Sequence, residues 1–132
     1  MSECESLWSI TYTNGTTEYG SLTFKYFSNL NKKRCESPKP NGFNENIKEF
    51  GPDHWIKAVF EEVGEISGAI LGMSGKKERK KHLTREDALD EIGDAVACLD
   101  LLAQSLDSTL GECAIRKFNK ISDRIGSNIK ID

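Results

Sequence analysis

DHWIKAVFEEVGEISGAIL (residues 53–71) and REDALDEIGDAVACLDLLAQSL (residues 85–106) decide how this chain folds. In the first stretch Ile56, Val59, Val63, Ile66 and Ile70 recur in steps of three and four, the period of an amphipathic helix. A helix is therefore predicted from about Asp53 to Leu71, ended by Gly72. The second stretch repeats the pattern with Leu89, Ile92, Val96, Leu99, Ala103 and Leu106. It opens on Thr84 and Asp87, a Ser/Thr-x-x-Asp/Glu capping pattern. Both stripes are expected to face the core.

Thr109 and Glu112 repeat that capping signal. Leu110, Ala114, Phe118, Ile121 and Ile125 then continue to Gly126, a residue suited to the left-handed end of a helix. Upstream, Ser21 is expected to cap a first helix running to about Arg34, with Phe24, Phe27 and Leu30 as its stripe. Residues 36–53 hold all three prolines and read mostly as loop. Nearer the N-terminus, Asn14-Gly15 lies between alternating β-formers, a short hairpin signal that would pair Tyr12 with Thr17 and Ile10 with Tyr19. The expected architecture is all-α, a bundle of about four helices, with residues 1–20 as an extension holding a small hairpin and residues 21–132 as the domain.

At 132 residues the chain suits one domain with one core. No apolar run is long enough to span a bilayer, and no basic region followed by an apolar run marks a signal peptide. A cytoplasmic location and no membrane partner are expected. Net charge −3 and a pI of about 5.5 argue against a general nucleic-acid binder. Four cysteines form no metal-ligand spacing, and Cys98 and Cys113 are expected as small buried hydrophobes.

The acids carry the functional signal. Glu62 and Glu65, and again Glu91 and Asp94, are spaced i, i+3, so each pair shares a helix face. Glu65 lies seven residues before Gly72, and Glu91 seven residues after Thr84. Two helices joined through residues 73–83 would therefore set Glu65 level with Glu91 and Glu62 level with Asp94. Acids at this spacing are commonly solvated, but a solvated face usually mixes in Lys or Arg. Residues 58–75 hold three acids and no base, and residues 86–115 hold eight acids and no base. Clustered carboxylates without counter-ions are costly to ionise unless a divalent cation neutralises them. Oxygen-only ligands select Mg²⁺, with Mn²⁺ as a substitute. No Glu has a His three residues later, which argues against a di-iron bundle, and two histidines are too few for an ordinary zinc site. Lys76, Lys77, Arg79, Lys80, Lys81 and Arg85 crowd the connection, either as a solvated loop or as a polyphosphate attractor.

Glu62-x-x-Glu65, 25 intervening residues and Glu91-x-x-Asp94 resemble the ExxE…ExxD signature of the MazG-like, all-α nucleoside triphosphate pyrophosphohydrolases. Neighbouring residues extend the resemblance to small phage-type members over roughly residues 21–130: Asn31 to Glu36, Trp55, Asp94 to Ala103, Arg116 to Asn119, and Ser122 to Gly126. The resemblance implies Mg²⁺ held by Glu62, Glu65, Glu91 and Asp94. It implies attack of a metal-activated water on the α-phosphorus, giving a nucleoside monophosphate and pyrophosphate. Glu61 would orient or deprotonate the water, or stand as a solvated neighbour. Asn31, Arg34, Trp55, Lys117 and Asn119 are the candidate substrate contacts, with a (d)NTP, in particular a purine dNTP such as dGTP or dATP, as substrate. Asp100 is nearly opposite in phase to Asp94 and is expected to pair with a base such as Lys117. Cys98 stands where some members carry an aromatic residue. A homodimer or homotetramer is implied, working in the cytoplasm of a host if the chain is phage-borne. The competing reading is a non-catalytic helical binding module that uses the basic loop at residues 76–85.

Overall fold

The computed structural model describes residues 7–11, 15–21, 23–76 and 82–131. The order is β1 (Leu7–Thr11), β2 (Thr17–Ser21), α1 (Phe24–Glu36), α2 (Ile47–Met73), α3 (Arg85–Ser105) and α4 (Leu110–Ile125). This is an all-α bundle carrying a small antiparallel hairpin. Among the described residues no helix is long and apolar enough to cross a membrane.

The hairpin register differs from the expected one. Ile10 stands across from Glu18, not Tyr19, and Thr11 rather than Tyr12 stands across from Thr17. The connection is thus longer than a two-residue turn, with Gly15 at φ 87°. Tyr12 and Asn14 lie outside the described residues.

Helix starts follow the capping chemistry. Thr84 and Asp87 form a reciprocal capping box, and the Thr109 side chain accepts from Glu112 N–H at 3.3 Å. Gly126 ends α4 at φ 74°. The cap of α1 is Thr23, not Ser21, which belongs to β2.

The helix α2 begins earlier than expected, because Asn46 caps an extra turn by accepting from Glu49 N–H at 3.0 Å. That turn breaks at Gly51, whose φ of 74° suits glycine, and the long straight part starts at Pro52. Proline is well placed there, since the first turn of a helix needs no N–H donor.

The apolar stripes do not all face inward. On α2 and α3 the buried positions include small residues: Gly68, Ala69 and Gly72 on one helix, Ala88, Ala95 and Ala103 on the other. These let the two helices approach closely and turn larger side chains outward. Of the expected core stripes, Val59 is buried, but Ile56, Val63, Ile70, Leu89, Ile92, Leu99 and Leu106 are exposed. Phe60 is 71% exposed. Phe118, Ile121 and Ile125 of α4 are exposed as well. On α1 the inward face is Ser28, Asn31 and Cys35, while Phe24 is outside. A core cluster gathers Cys35, Ile47, Trp55 and Leu101, with Ala58 and Leu102 against it. Cys113 is exposed rather than buried.

The polar face of α1 has a physical reason. Asp100 of α3 is 0% exposed. Its Oδ1 accepts from Ser28 Oγ (2.6 Å) and Leu110 N–H (3.0 Å). Its Oδ2 accepts from Asn31 Nδ2 (2.9 Å) and Gln104 Nε2 (2.9 Å). The carboxylate therefore joins α1, α3 and the first turn of α4, where amide groups and helix dipole both favour a negative charge. The expected pairing of Asp100 with Lys117 is not formed, and Lys117 is exposed on α4. Close packing reinforces this corner. A Cβ at Gly111 would stand 2.5 Å from Phe24 Cβ.

Candidate metal centre and adjoining pocket

Helices α2 and α3 form a hairpin that brings acids from both helices together, as the residue count requires. Carboxylate oxygens of Glu62, Glu65 and Glu91 lie within 4.8 Å of one another. Asp94 is near enough that its charge raises the carboxyls of Glu62 and Glu91. Among the described residues none of these four acids is paired with Lys or Arg. Lys77, Arg79, Lys80 and Lys81 of the basic connection lie outside the described residues.

Two oxygens in the cluster lack any donor. Glu62 Oε2 and Glu91 Oε2 are sealed from solvent and accept no hydrogen bond. Burial and the charges of Asp94 and Glu65 hold the Glu62 carboxyl above its ordinary range. Glu91 is pushed up to about 7, first by its carboxyl–carboxyl contact with Glu65, then by burial and by the charges of Glu65, Asp94 and Glu62. Buried acceptors without donors, in a group of mutually repelling carboxylates, are what a hard divalent cation would satisfy. The donor set fits Mg²⁺ or Mn²⁺.

A pocket of about 390 Å³ adjoins the cluster between α1, α2 and α3. Glu61, Glu62 and Asp94 line it at the acidic end, and Ala58, Ala97, Cys98 and Leu101 supply apolar wall. The Cys98 thiol is pushed up to about 11 by burial and then by the charges of Glu62 and Asp94.

Three of the five sequence-predicted substrate contacts line this pocket: Asn31, Arg34 and Trp55. Their polar groups are not equally available. The Asn31 amide donates to Ala97 O and to Asp100, each at 2.9 Å. Trp55 is 4% exposed and donates its indole N–H to Ile47 O at 3.0 Å. Arg34 lies over the Phe43 ring, 5.6 Å from its centroid. Lys117 and Asn119 are not brought to the pocket. Among the described residues α4 packs on α1 and α3 but not on α2. Asn119 instead clasps the C-terminal tail, donating to Ile131 O (2.7 Å) and accepting from Ile131 N–H (2.8 Å).

Phe43, Glu45 and His54 complete the wall and were not singled out from the sequence. The connection after α1 folds back on it and delivers the first two. Phe43 N–H donates to Arg34 O (3.1 Å), Asn44 N–H to Ser37 O (2.8 Å) and Glu45 N–H to Cys35 O (2.9 Å). Gly42 makes the fold-back fit, since a Cβ there would stand 2.4 Å from both Arg34 O and Ser37 O. Glu45 Oε2 then meets His54 Nε2 at 3.4 Å. One local signal was readable: Asn46 and Glu49 form a cap pattern inside the proline-rich stretch.

No family model matches the chain, and no solved structure does. Among curated proteins, the chain is 32% identical over 75 residues to the "Uncharacterized protein YpjD" of Bacillus subtilis strain 168. The aligned segment spans 57% of this chain and 68% of the Bacillus protein. With that identity over that share of its length, the chain belongs to the same family as Bacillus subtilis YpjD.

Proposed function

We propose that the chain is a Mg²⁺-dependent nucleoside triphosphate pyrophosphohydrolase of the MazG-like type, converting a (d)NTP to the (d)NMP and pyrophosphate, with Mn²⁺ able to substitute. The observation that carries this reading is the convergence of Glu62, Glu65 and Glu91 within 4.8 Å, with two sealed oxygens that meet no donor. Asp94, the fourth acid expected in the cluster, is not among the oxygens that converge, although its charge reaches Glu62 and Glu91. Bound there, a divalent cation would supply charge neutralisation for the triphosphate and a lowered pKa for water. Glu62, Glu65, Glu91 and Asp94 would hold it. Glu61 lines the pocket and in this reading would orient the attacking water or accept its proton. The apolar wall around Trp55, Ala97 and Leu101 would exclude water from the nucleoside.

Large apolar side chains lie exposed on α2, α3 and α4, Phe60, Ile92 and Phe118 among them. They support a homodimer or homotetramer. A soluble nucleotide-pool enzyme would work in the cytoplasm, a host's if the chain is phage-borne.

The test is a screen of the eight common ribo- and deoxyribonucleoside triphosphates with Mg²⁺, reading monophosphate and pyrophosphate together. Pyrophosphate release that needs Mg²⁺ and is lost in Glu65→Ala is the expected result. Release of single phosphate, or turnover indifferent to EDTA and to Glu65→Ala, overturns the proposal.

A further inference from the structure

We infer that β1 is a pairing edge for a second copy of this chain: the two copies join β1 to β1 antiparallel, about a two-fold axis at Ser9, into one four-stranded sheet. The starting observation is the isolation of the hairpin. Its sheet consists of β1 and β2 alone, two strands of five residues each. Among the described residues these strands contact each other and no helix. A two-stranded hairpin without a packing partner is marginal in water, whereas three or more strands can hold together. The hairpin also lies outside the residues that resemble the pyrophosphohydrolases, so the assembly implied by that resemblance does not account for it. The inference is independent of the catalytic reading.

Each strand keeps one outer edge of unpaired N–H and C=O groups. Charge decides between the two edges. On β2, a two-fold axis at Tyr19 would set Glu18 of one copy across from Gly20 of the other. The two Glu18 residues would then share a face as diagonal neighbours, about 7–8 Å apart, and like charges there repel. On β1 the residues are Leu7, Trp8, Ser9, Ile10 and Thr11, with no charge, glycine or proline to blunt the edge.

The pattern of β1 is also complementary to itself. With the axis at Ser9, Leu7 of each copy stands across from Thr11 of the other, and Trp8 across from Ile10. An aromatic residue opposite a β-branched one is a stabilising combination in an antiparallel pair, and here it occurs twice. Alternation puts Trp8 and Ile10 on one face of their strand, so both combinations fall on one face of the joined sheet. A slip of one residue would send the two copies' Trp8 and Ile10 to opposite faces and lose both. A second copy therefore fits this edge in a single register.

The experiment uses the full chain carrying Cys4→Ser and Cys113→Ser, which removes the thiol nearest the hairpin in sequence and the exposed one on α4. Ser9→Cys is the probe and Tyr19→Cys the control, since Tyr19 stands across from Ser9 within the hairpin. In the joined sheet the two Ser9 Cα atoms are about 4.5–5.5 Å apart, within reach of a disulfide. The two Tyr19 residues are three strand spacings apart, about 14 Å, and out of reach. Oxidised glutathione is added and covalent dimer is read on a non-reducing gel. Ser9→Cys should give at least about fivefold more dimer than Tyr19→Cys. Adding Ile10→Lys, with helical content checked by circular dichroism, should cut that yield about fivefold, because a lysine blunts a pairing edge. Hydrogen exchange at residues 7–11 of the unmodified chain gives a second reading that needs no thiol. Dilution should speed it about tenfold, and Ile10→Lys should do the same without dilution. Crosslinking no greater at residue 9 than at residue 19 overturns the assignment. So does exchange at residues 7–11 that ignores both dilution and Ile10→Lys.

Discussion

Asp100→Ala should be among the most damaging single substitutions in the chain. The side chain is fully buried and accepts four hydrogen bonds from neutral donors on three helices. Truncation leaves Leu110 N–H without a partner at the start of α4, weakens the hold on Asn31, and opens a void. The Ser28 hydroxyl can turn away, and Asn31 keeps its bond to Ala97 O. The unsatisfied donors and the lost charge-assisted bonds together correspond to about 3–5 kcal/mol. Typical domains hold only ~5–15 kcal/mol, so folding itself is at stake. Asp100→Asn is the finer probe. Its amide nitrogen must face either Ser28 and Leu110 or Asn31 and Gln104, so one pair loses its acceptor, at about 1–3 kcal/mol. Urea denaturation measures both, with Ser28→Ala closing a double-mutant cycle against Asp100→Asn. If Asp100→Ala shifts stability by less than ~1 kcal/mol with an unchanged slope, the carboxylate is not the junction described.

Three further outcomes are expected. Glu62 and Glu91 are both raised in the folded state, Glu91 to about 7, so the folded chain binds more protons than the unfolded one between their ordinary range and about pH 7. In EDTA, stability should therefore fall as pH rises through that window, and Glu91→Gln should flatten the dependence; a urea midpoint that rises with pH there contradicts it. Gly42→Ala would drive a Cβ into the carbonyl oxygens of Arg34 and Ser37, so it should lower stability by about 1–3 kcal/mol, read by thermal denaturation. Phe60→Asp combined with Ile92→Asp should shift the chain to a monomer in light scattering without loss of helical signal at high concentration, if the outward faces of α2 and α3 are subunit contacts.

What could be read from the sequence was mostly local or countable. The caps at Thr84, Thr109 and Gly126 depend on residues within one turn, and they stand where the pattern puts them. The meeting of Glu62, Glu65 and Glu91 followed from equal residue counts on either side of a short connection. The inward faces did not follow. A 3.6-residue period shows that a face is apolar but not what covers it, and small residues such as Gly68 and Ala88 took the inward positions instead. Asp100 was misplaced because its partners, Ser28, Asn31 and Leu110, are distant in sequence or on another helix. Its setting between Leu99 and Leu101 was the available hint of burial. Glu45 and Phe43 were out of reach because a proline-rich stretch read as loop folds back on α1 through backbone bonds that side-chain patterns do not encode.

Asn31 does two jobs at once: its amide pins the Asp100 junction while its side chain forms part of the pocket wall. Reshaping of the cavity wall therefore has unequal latitude. Changes at Asn31 would trade recognition against foldedness, whereas Phe43 and Arg34, on the rim and free of that junction, can be varied with far less collateral damage.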